Sequence, residues 1–190
     1  MFYTIRLRGI KKFLIFLFCG FLAVFFVVCV RFRYPLKYMD IIRKNAEAYG
    51  LEPSFVCAVI HAESKFRETA RSHKDASGLM QVTRGTADWI APLINLPDYS
   101  YERIFEPSVN IQIGCGYLAW LLNHYNQDRN LAAAAYNAGS GNVDKWLKNK
   151  AYSSDGQRLE TIPFPETRVY LKRIQWNQKI YDMILMFIQV

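Results

Sequence analysis

Glu63 closes an apolar run, Val56-Cys57-Ala58-Val59-Ile60-His61-Ala62, and is followed at once by Ser64 and a long polar stretch. Val56, Val59, Ile60 and Glu63 stand at i, i+3, i+4 and i+7, so a helix here puts the carboxylate on the same face as the apolar stripe. A carboxyl group in a desolvated place keeps its proton to higher pH, because burial disfavours the anion. That is what a general acid working near neutral pH requires. The same residue type is also satisfied by a solvated glutamate in the last turn of an ordinary helix. The surrounding elements have to decide between the two.

Those elements read as helices nearly throughout. Tyr38 to Tyr49 is amphipathic and closes at Gly50, a good residue for the turn that ends a helix. Pro53 suits a first helical position and opens the helix that reaches Glu63. Residues 65–77 are polar and loop-like. A short helix is expected from about Thr86 to Ile94, interrupted by Pro92, and a longer one over Ser108 to Tyr125 behind Pro107. Gly114 and Gly116 inside the longer helix weaken its propensity and point to close approach of another backbone. Leu131 to Tyr136 is a short alanine-rich helix. It ends in the turn Asn137-Ala138-Gly139-Ser140-Gly141, and helix resumes over Asn142 to Lys148. Residues 149–165 form a loop, and a last helix runs from about Glu166 into the 180s. No segment alternates convincingly as a strand, and there is no internal repeat.

The N-terminal part has a different character. Phe13 to Val30 is 18 residues without a charge, near the lower limit for a membrane-spanning helix and too long for a typical signal-peptide core. Neither Cys19 nor the Phe25-to-Val30 flank has the small residues that processing sites use, so the segment reads as an uncleaved anchor. Arg6, Arg8, Lys11 and Lys12 precede it and Arg31, Arg33 and Lys37 follow, which leaves orientation almost undecided by charge. The expected organisation is a basic segment 1–12, an anchor 13–30, a short basic linker 31–37 and one domain over 38–190.

The formal charge of +8 belongs mostly to the first part. Residues 38–190 carry 17 basic against 16 acidic side chains, net +1. With no basic stripe interleaved with aromatics, nucleic acid is not an expected partner. A lipid headgroup contact beside the anchor accounts for the basic excess. There is no CxxC and no His/Cys cluster at ligand spacing, so no metal site is expected. Cys57 and Cys115 sit in apolar helical surroundings and read as small buried hydrophobes; whether they pair is open.

Four separated segments share one character, a helix end or turn carrying polar or aromatic groups in apolar surroundings. They are Glu63-Ser64, Ser77-Gly78-Leu79-Met80-Gln81, Ala135-Tyr136-Asn137-Ala138-Gly139, and Ile162-Pro163-Phe164-Pro165-Glu166-Thr167-Arg168-Val169-Tyr170. In this order and spacing they resemble the soluble-lytic-transglycosylase-type (SLT) domains, lysozyme-like enzymes that cut the glycan strands of peptidoglycan. The resemblance covers roughly residues 38–185. It implies an all-α, lysozyme-like fold with a long substrate groove, following an N-terminal transmembrane helix.

The resemblance also implies a catalytic role for Glu63 as the single carboxylate, acid and then base, and a product with a 1,6-anhydro sugar, with no cofactor. Substrate-binding positions implied are Ser72, Met80 as an adaptable apolar wall, Gln81 as amide donor and acceptor, and Tyr136, whose hydroxyl could hold the carboxyl or the substrate's N-acetyl group. Asn137 and Glu166 complete that set; Arg168 and Tyr170 are expected to bridge the last helix to the core. By residue type alone, Asn137 also fits a helix-ending turn and Glu166 a carboxylate favoured at a helix N-terminus. Glu68 and Asp75 are the acids nearest to Glu63 in the sequence. Either one facing it across the cleft would favour simple hydrolysis. The chain departs from the common pattern after Gln81, reading Val82-Thr83-Arg84, so that Thr83 stands where a methionine often lines the substrate site.

The expected protein is thus a single-pass enzyme of the bacterial cell membrane, a carbon–oxygen lyase acting on peptidoglycan strands outside the cytoplasm. A goose-lysozyme-like muramidase hydrolysing the same bond, and a non-catalytic peptidoglycan-binding module, are the alternatives.

Overall fold

The computed structural model describes residues 2–188, with side-chain surroundings from residue 9 onward. The side chains of Arg6 and Arg8 in the basic segment, and the last two residues of the 38–190 domain, lie outside the described residues. The chain divides into two compact units, Met1–Leu36 and Lys37–Val190.

The first unit is one helix, α1 (Phe2–Arg33). Its portion Gly9–Arg33 is long and apolar enough to cross a membrane, and its large side chains are exposed along the whole length.

The second unit holds α2 (Met39–Tyr49), α3 (Pro53–Glu63), α4 (Arg84–Leu93), a 3₁₀ turn (Tyr101–Phe105), α5 (Pro107–His124), α6 (Arg129–Ala138), α7 (Ser140–Leu147) and α8 (Pro165–Ile188). No strand forms among the described residues; the loop after α3 has only isolated bridges, Arg71 to Ser77 and Ser77 to Val82. The cap residues act as expected from their chemistry. Gly50 ends α2 at φ +64°, a conformation that costs glycine little, and Pro53 opens α3. Asp128 caps α6 by accepting from the N–H groups of Asn130 and Leu131. Pro92 lies inside α4 near its end rather than breaking it early. The expected five-residue turn after Tyr136 is far tighter, because α6 runs on to Ala138 and only Gly139, at φ +86°, separates it from α7.

Two helices are buried on nearly every side. In α3, every residue from Ser54 to His61 is buried, and α5 contributes most of its residues between Val109 and Leu122 to the same core. The most extensive helix pair is α3 with α8; α2, α4 and α6 pack on α5, and α6 also meets α7 and α8. The two glycines of α5 do mark close approaches, but to side chains and not to another backbone. A Cβ on Gly114 would run into the Met80 thioether, and one on Gly116 would come within 2.7 Å of Ile94 Cγ2. Cys57 and Cys115 are buried free thiols, and burial pushes Cys57 up to about 12. Glu63 is the last residue of the central helix, so the core delivers the carboxylate to the surface at the point where the chain must turn.

Candidate active site

Glu63 keeps partial exposure at the floor of a cleft while protein atoms surround most of its carboxyl group. Two depressions meet at it. One, of about 420 Å³, is lined by Ala62, Glu63, Asn137 and the first turns of α8. The other, of about 210 Å³, is lined by Glu63, Ser72, Gln81, Thr83, Tyr136 and Glu166 among others. Glu63, Asn137 and Glu166 border both, so the groove passes on either side of the carboxylate.

Desolvation is the largest influence on Glu63 and pushes its pKa up to about 7. The negative charge of Glu166 adds to the rise, while Tyr170 and the Arg173 guanidinium oppose it. The C-terminal end of α3 acts in the upward direction too, since a helix end of that polarity repels an anion. Tyr170 lies close enough for its hydroxyl to act on the carboxyl. Its hydroxyl is buried and short of hydrogen-bond geometry with any group, an unsatisfied donor facing an acid that changes its charge. Burial first, and then the charge of Glu63, hold the Tyr136 and Tyr170 hydroxyls protonated far above the usual tyrosine range.

The loop that follows α3 is built as a second wall. Asn110, fully buried on α5, accepts from the Met80 N–H (2.7 Å) and donates to the carbonyls of Ser77 (2.9 Å) and Ile104 (2.8 Å). Gly78 sits over this amide at φ +78°, where a side chain would collide with Asn110. The segment Ser77–Gln81 is thereby stitched to the core from behind.

The residues expected to bind substrate fall into three groups. Gln81, Asn137 and Glu166 line the cleft. Gln81 differs from expectation in one respect: its Nε2 donates to the carbonyls of Ala70 and Gly78 at 3.0 Å, which leaves Oε1 as the free acceptor. Asn137 accepts from the Thr167 hydroxyl at 2.8 Å, a bond that joins α6 to α8 across the cleft floor. Ser72 and Tyr136 also line the cleft, but their polar atoms are committed locally. The Ser72 hydroxyl accepts from the N–H groups of Lys74 and Ala76, and the Tyr136 hydroxyl donates to the Met80 carbonyl at 2.8 Å. The Tyr136 hydroxyl, expected to hold either the carboxyl or the substrate's N-acetyl group, directs its proton to the wall loop. Met80 forms the third group. It is not a cleft wall but is fully buried, because the two glycines of α5 open a slot that its thioether fills.

Neither Glu68 nor Asp75 borders the cleft. Glu68 accepts from the Tyr38 hydroxyl at 2.7 Å on the exposed surface, and Asp75 uses its backbone carbonyl to accept from Tyr101. The carboxylate that does share the groove with Glu63 is Glu166. Thr83, the departure from the common pattern, lines the cleft and caps α4 by accepting from the Thr86 N–H. Arg168 donates to the Ile162 and Pro163 carbonyls at the start of α8, while Tyr170 is the one that reaches inward.

Arg173 lines the cleft from outside the four motif segments, and Val169 and Tyr170, within the last of them, line it as well. Val169, Tyr170 and Arg173 follow Glu166 at i+3, i+4 and i+7, a helical face that was present in the sequence. An aromatic shelf also continues from Tyr136: its ring lies 5.2 Å from Tyr117, which lies 6.0 Å from Trp89, itself 4.7 Å from Trp120. Tyr117 and Trp120 sit at i and i+3 on α5, so only the packing of α4 and α6 onto α5 brings the four rings together.

A family model for the transglycosylase SLT domain matches residues 40–158. The soluble lytic murein transglycosylase of Salmonella typhimurium is 38% identical over 144 residues, which cover 75% of this chain and 22% of that protein. The membrane-bound lytic murein transglycosylase C of Yersinia pestis is 34% identical over 168 residues, covering 76% and 46%. Among solved structures, an inactive glutamate-to-glutamine mutant of the lytic transglycosylase Slt from Pseudomonas aeruginosa superposes with a TM-score of 0.75 at 36% identity, over 82% of this chain and 25% of that one. The 70-kDa soluble lytic transglycosylase from Escherichia coli gives 0.73 at 31% identity, over 82% and 26%, and its complex with bulgecin A gives 0.74. The chain thus spans between about a fifth and about half of the curated relatives it matches. The all-α lysozyme-like architecture is shared with these proteins, and the chain belongs to the transglycosylase SLT domain family.

Proposed function

We propose that the chain is a membrane-anchored peptidoglycan lytic transglycosylase in which Glu63 acts alone, first as acid and then as base. The observation that carries this reading is a carboxyl group desolvated to a pKa of about 7 at the meeting point of two grooves. Near neutral pH such a group holds its proton in half the molecules and exchanges it readily, as a residue with both roles must.

In the first step Glu63 gives its proton to the oxygen of the β-1,4 bond between N-acetylmuramic acid and N-acetylglucosamine, and that bond breaks. The positive charge left at C1 is stabilised by the neighbouring N-acetyl carbonyl of the substrate. In the second step ionised Glu63 takes the proton of the muramic C6 hydroxyl, whose oxygen bonds to C1. Glu63 ends as it began, and the 1,6-anhydro ring forms without water. In this reading the free Gln81 Oε1 accepts from sugar N–H or O–H groups, and the Asn137 Nδ2 donates to a sugar oxygen. The Trp89–Trp120 shelf offers aromatic faces for sugar rings further along.

Glu166 gives the hydrolytic reading its one specific support, because an inverting hydrolase needs a second carboxylate as base for water. The two reactions separate by mass, the anhydro product being lighter by one water. Digestion of peptidoglycan by residues 36–190 is expected to yield anhydro ends; a digest with reducing ends alone overturns the transglycosylase reading. Glu63→Gln is expected to lower the rate about 10²–10⁴-fold with the fold intact, whereas a mere binding module would show no activity to lose. We also assign α1 as the membrane anchor, with the domain on the extracytoplasmic side where the glycan strands lie, and with 31–37 as linker.

A further inference from the structure

The outward face of α8 is apolar far beyond what packing uses. Trp176, Ile180, Met183 and Phe187 follow one another at i, i+4, i+7 and i+11, a single stripe along the helix. At its C-terminal end the exposure is concentrated: Met183 is 48%, Met186 63%, Phe187 77% and Ile188 43% exposed. The opposite face, with Ile174, Asn177, Tyr181 and Leu185, is already buried against the core. A contiguous exposed apolar patch on a helix marks a surface that is covered in use.

The chain itself indicates what covers it. Tyr38, at the start of the second unit, donates a 2.7 Å hydrogen bond to Glu68. In the same turn the Phe66 ring lies 6.2 Å from Tyr181 of α8. The point where the chain enters the domain and the distal part of α8 are therefore at one end of this unit. Covalent connectivity limits the stretch from Arg33 to Tyr38 to about 18 Å when fully extended. Lys37, Lys65 and Arg67 are exposed at that end, a basic set suited to anionic headgroups. A second copy of the chain is a poorer occupant, since a few half-exposed side chains fall short of the ~800 Å² per partner of a stable interface.

We infer that the C-terminal end of α8, through Met183, Met186, Phe187 and Ile188, inserts into the bilayer surface as a second membrane contact. The domain then does not swing freely on its tether. With one point fixed at Tyr38 and another at Phe187, the orientation of the cleft relative to the membrane is set. This rests on α1 being the anchor.

The test uses the full chain in phosphatidylcholine–phosphatidylglycerol vesicles containing a phospholipid with a photoreactive diazirine in its acyl chain. After illumination, lipid adducts are mapped by peptide mass spectrometry. Adducts are expected in α1 and again within 183–188. The variant Met183→Ser, Met186→Ser, Phe187→Ser is expected to lose about tenfold of the α8 adducts, keeping those in α1 and an unchanged thermal melt. Adducts confined to α1 overturn the proposal and leave the anchor intact. Absence of adducts from α1 sinks the anchor reading and the proposal with it. Crosslinks from α8 to a second copy of the chain overturn the proposal in favour of a dimer.

Discussion

A carboxyl group whose pKa is raised by burial is destabilising when ionised, and this separates the site from an ordinary helix end. The folded state holds the Glu63 proton up to about 7, against an ordinary value of 4.5, so it binds more protons than the unfolded chain between those limits. Stability therefore falls as pH rises through that window and is level above it. Glu63→Gln, which mimics the protonated form, is expected to stabilise the domain by about 3 kcal/mol at pH 8 and by almost nothing at pH 4, read from denaturant melts at the two pH values. Activity falls over the same range: the proton needed for the first step is lost as pH climbs past about 7. A rate profile flat to pH 9 would remove Glu63 from the acid role.

The elements position this residue by two devices that no motif announces. The first is the Asn110 amide, which holds the wall loop by three backbone bonds. Asn110→Ala leaves the buried Met80 N–H and Ile104 carbonyl unpaired, and leaves the Ser77 carbonyl with only its bond from the Val82 N–H. It is expected to cost about 3 kcal/mol in chemical denaturation and to weaken glycan binding, because the Gln81 loop loses its back support. The second is the slot at Gly114. Gly114→Ala drives a methyl group into the buried Met80 thioether and is expected to destabilise by about 1–3 kcal/mol. Since the Met80 carbonyl receives the Tyr136 hydroxyl, that variant should also lower activity more than an equally destabilising change far from the cleft. A loss of stability with unchanged specific activity would show the slot to be packing only.

At the scale of the whole molecule, one helix that fits a membrane precedes a domain that has its own core. Full-length protein is expected to stay with membranes through alkaline carbonate extraction, while residues 36–190 remain in solution and keep the ability to release muropeptides. A full chain extracted by carbonate would argue against α1 as a spanning anchor.

What the sequence by itself determined is local chemistry and local periodicity. The helix that ends at Glu63, the Gly50 and Pro53 punctuation, the apolar N-terminal segment and the all-α class were legible, because propensity, capping and 3.6-residue spacing act over a few residues. The four motif segments identified the family for the same reason: each is a short string of side chains that can be read in order. What only the tertiary structure decided is direction and commitment. Met80 turned inward because Gly114, thirty-four positions away, leaves room for it. The Tyr136 proton went to the Met80 carbonyl, and Gln81 kept an acceptor but no free donor, because backbone groups brought near by packing claimed them. The second carboxylate of the groove proved to be Glu166, a hundred and three residues from Glu63, and not Glu68 or Asp75 close by in the chain. Burial and hydrogen bonding are sums over neighbours in space, and α8 folding back along α3 chooses those neighbours. The raised pKa of Glu63 belongs to that same class: the sequence placed the carboxylate on an apolar face, and the fold removed the water from around it.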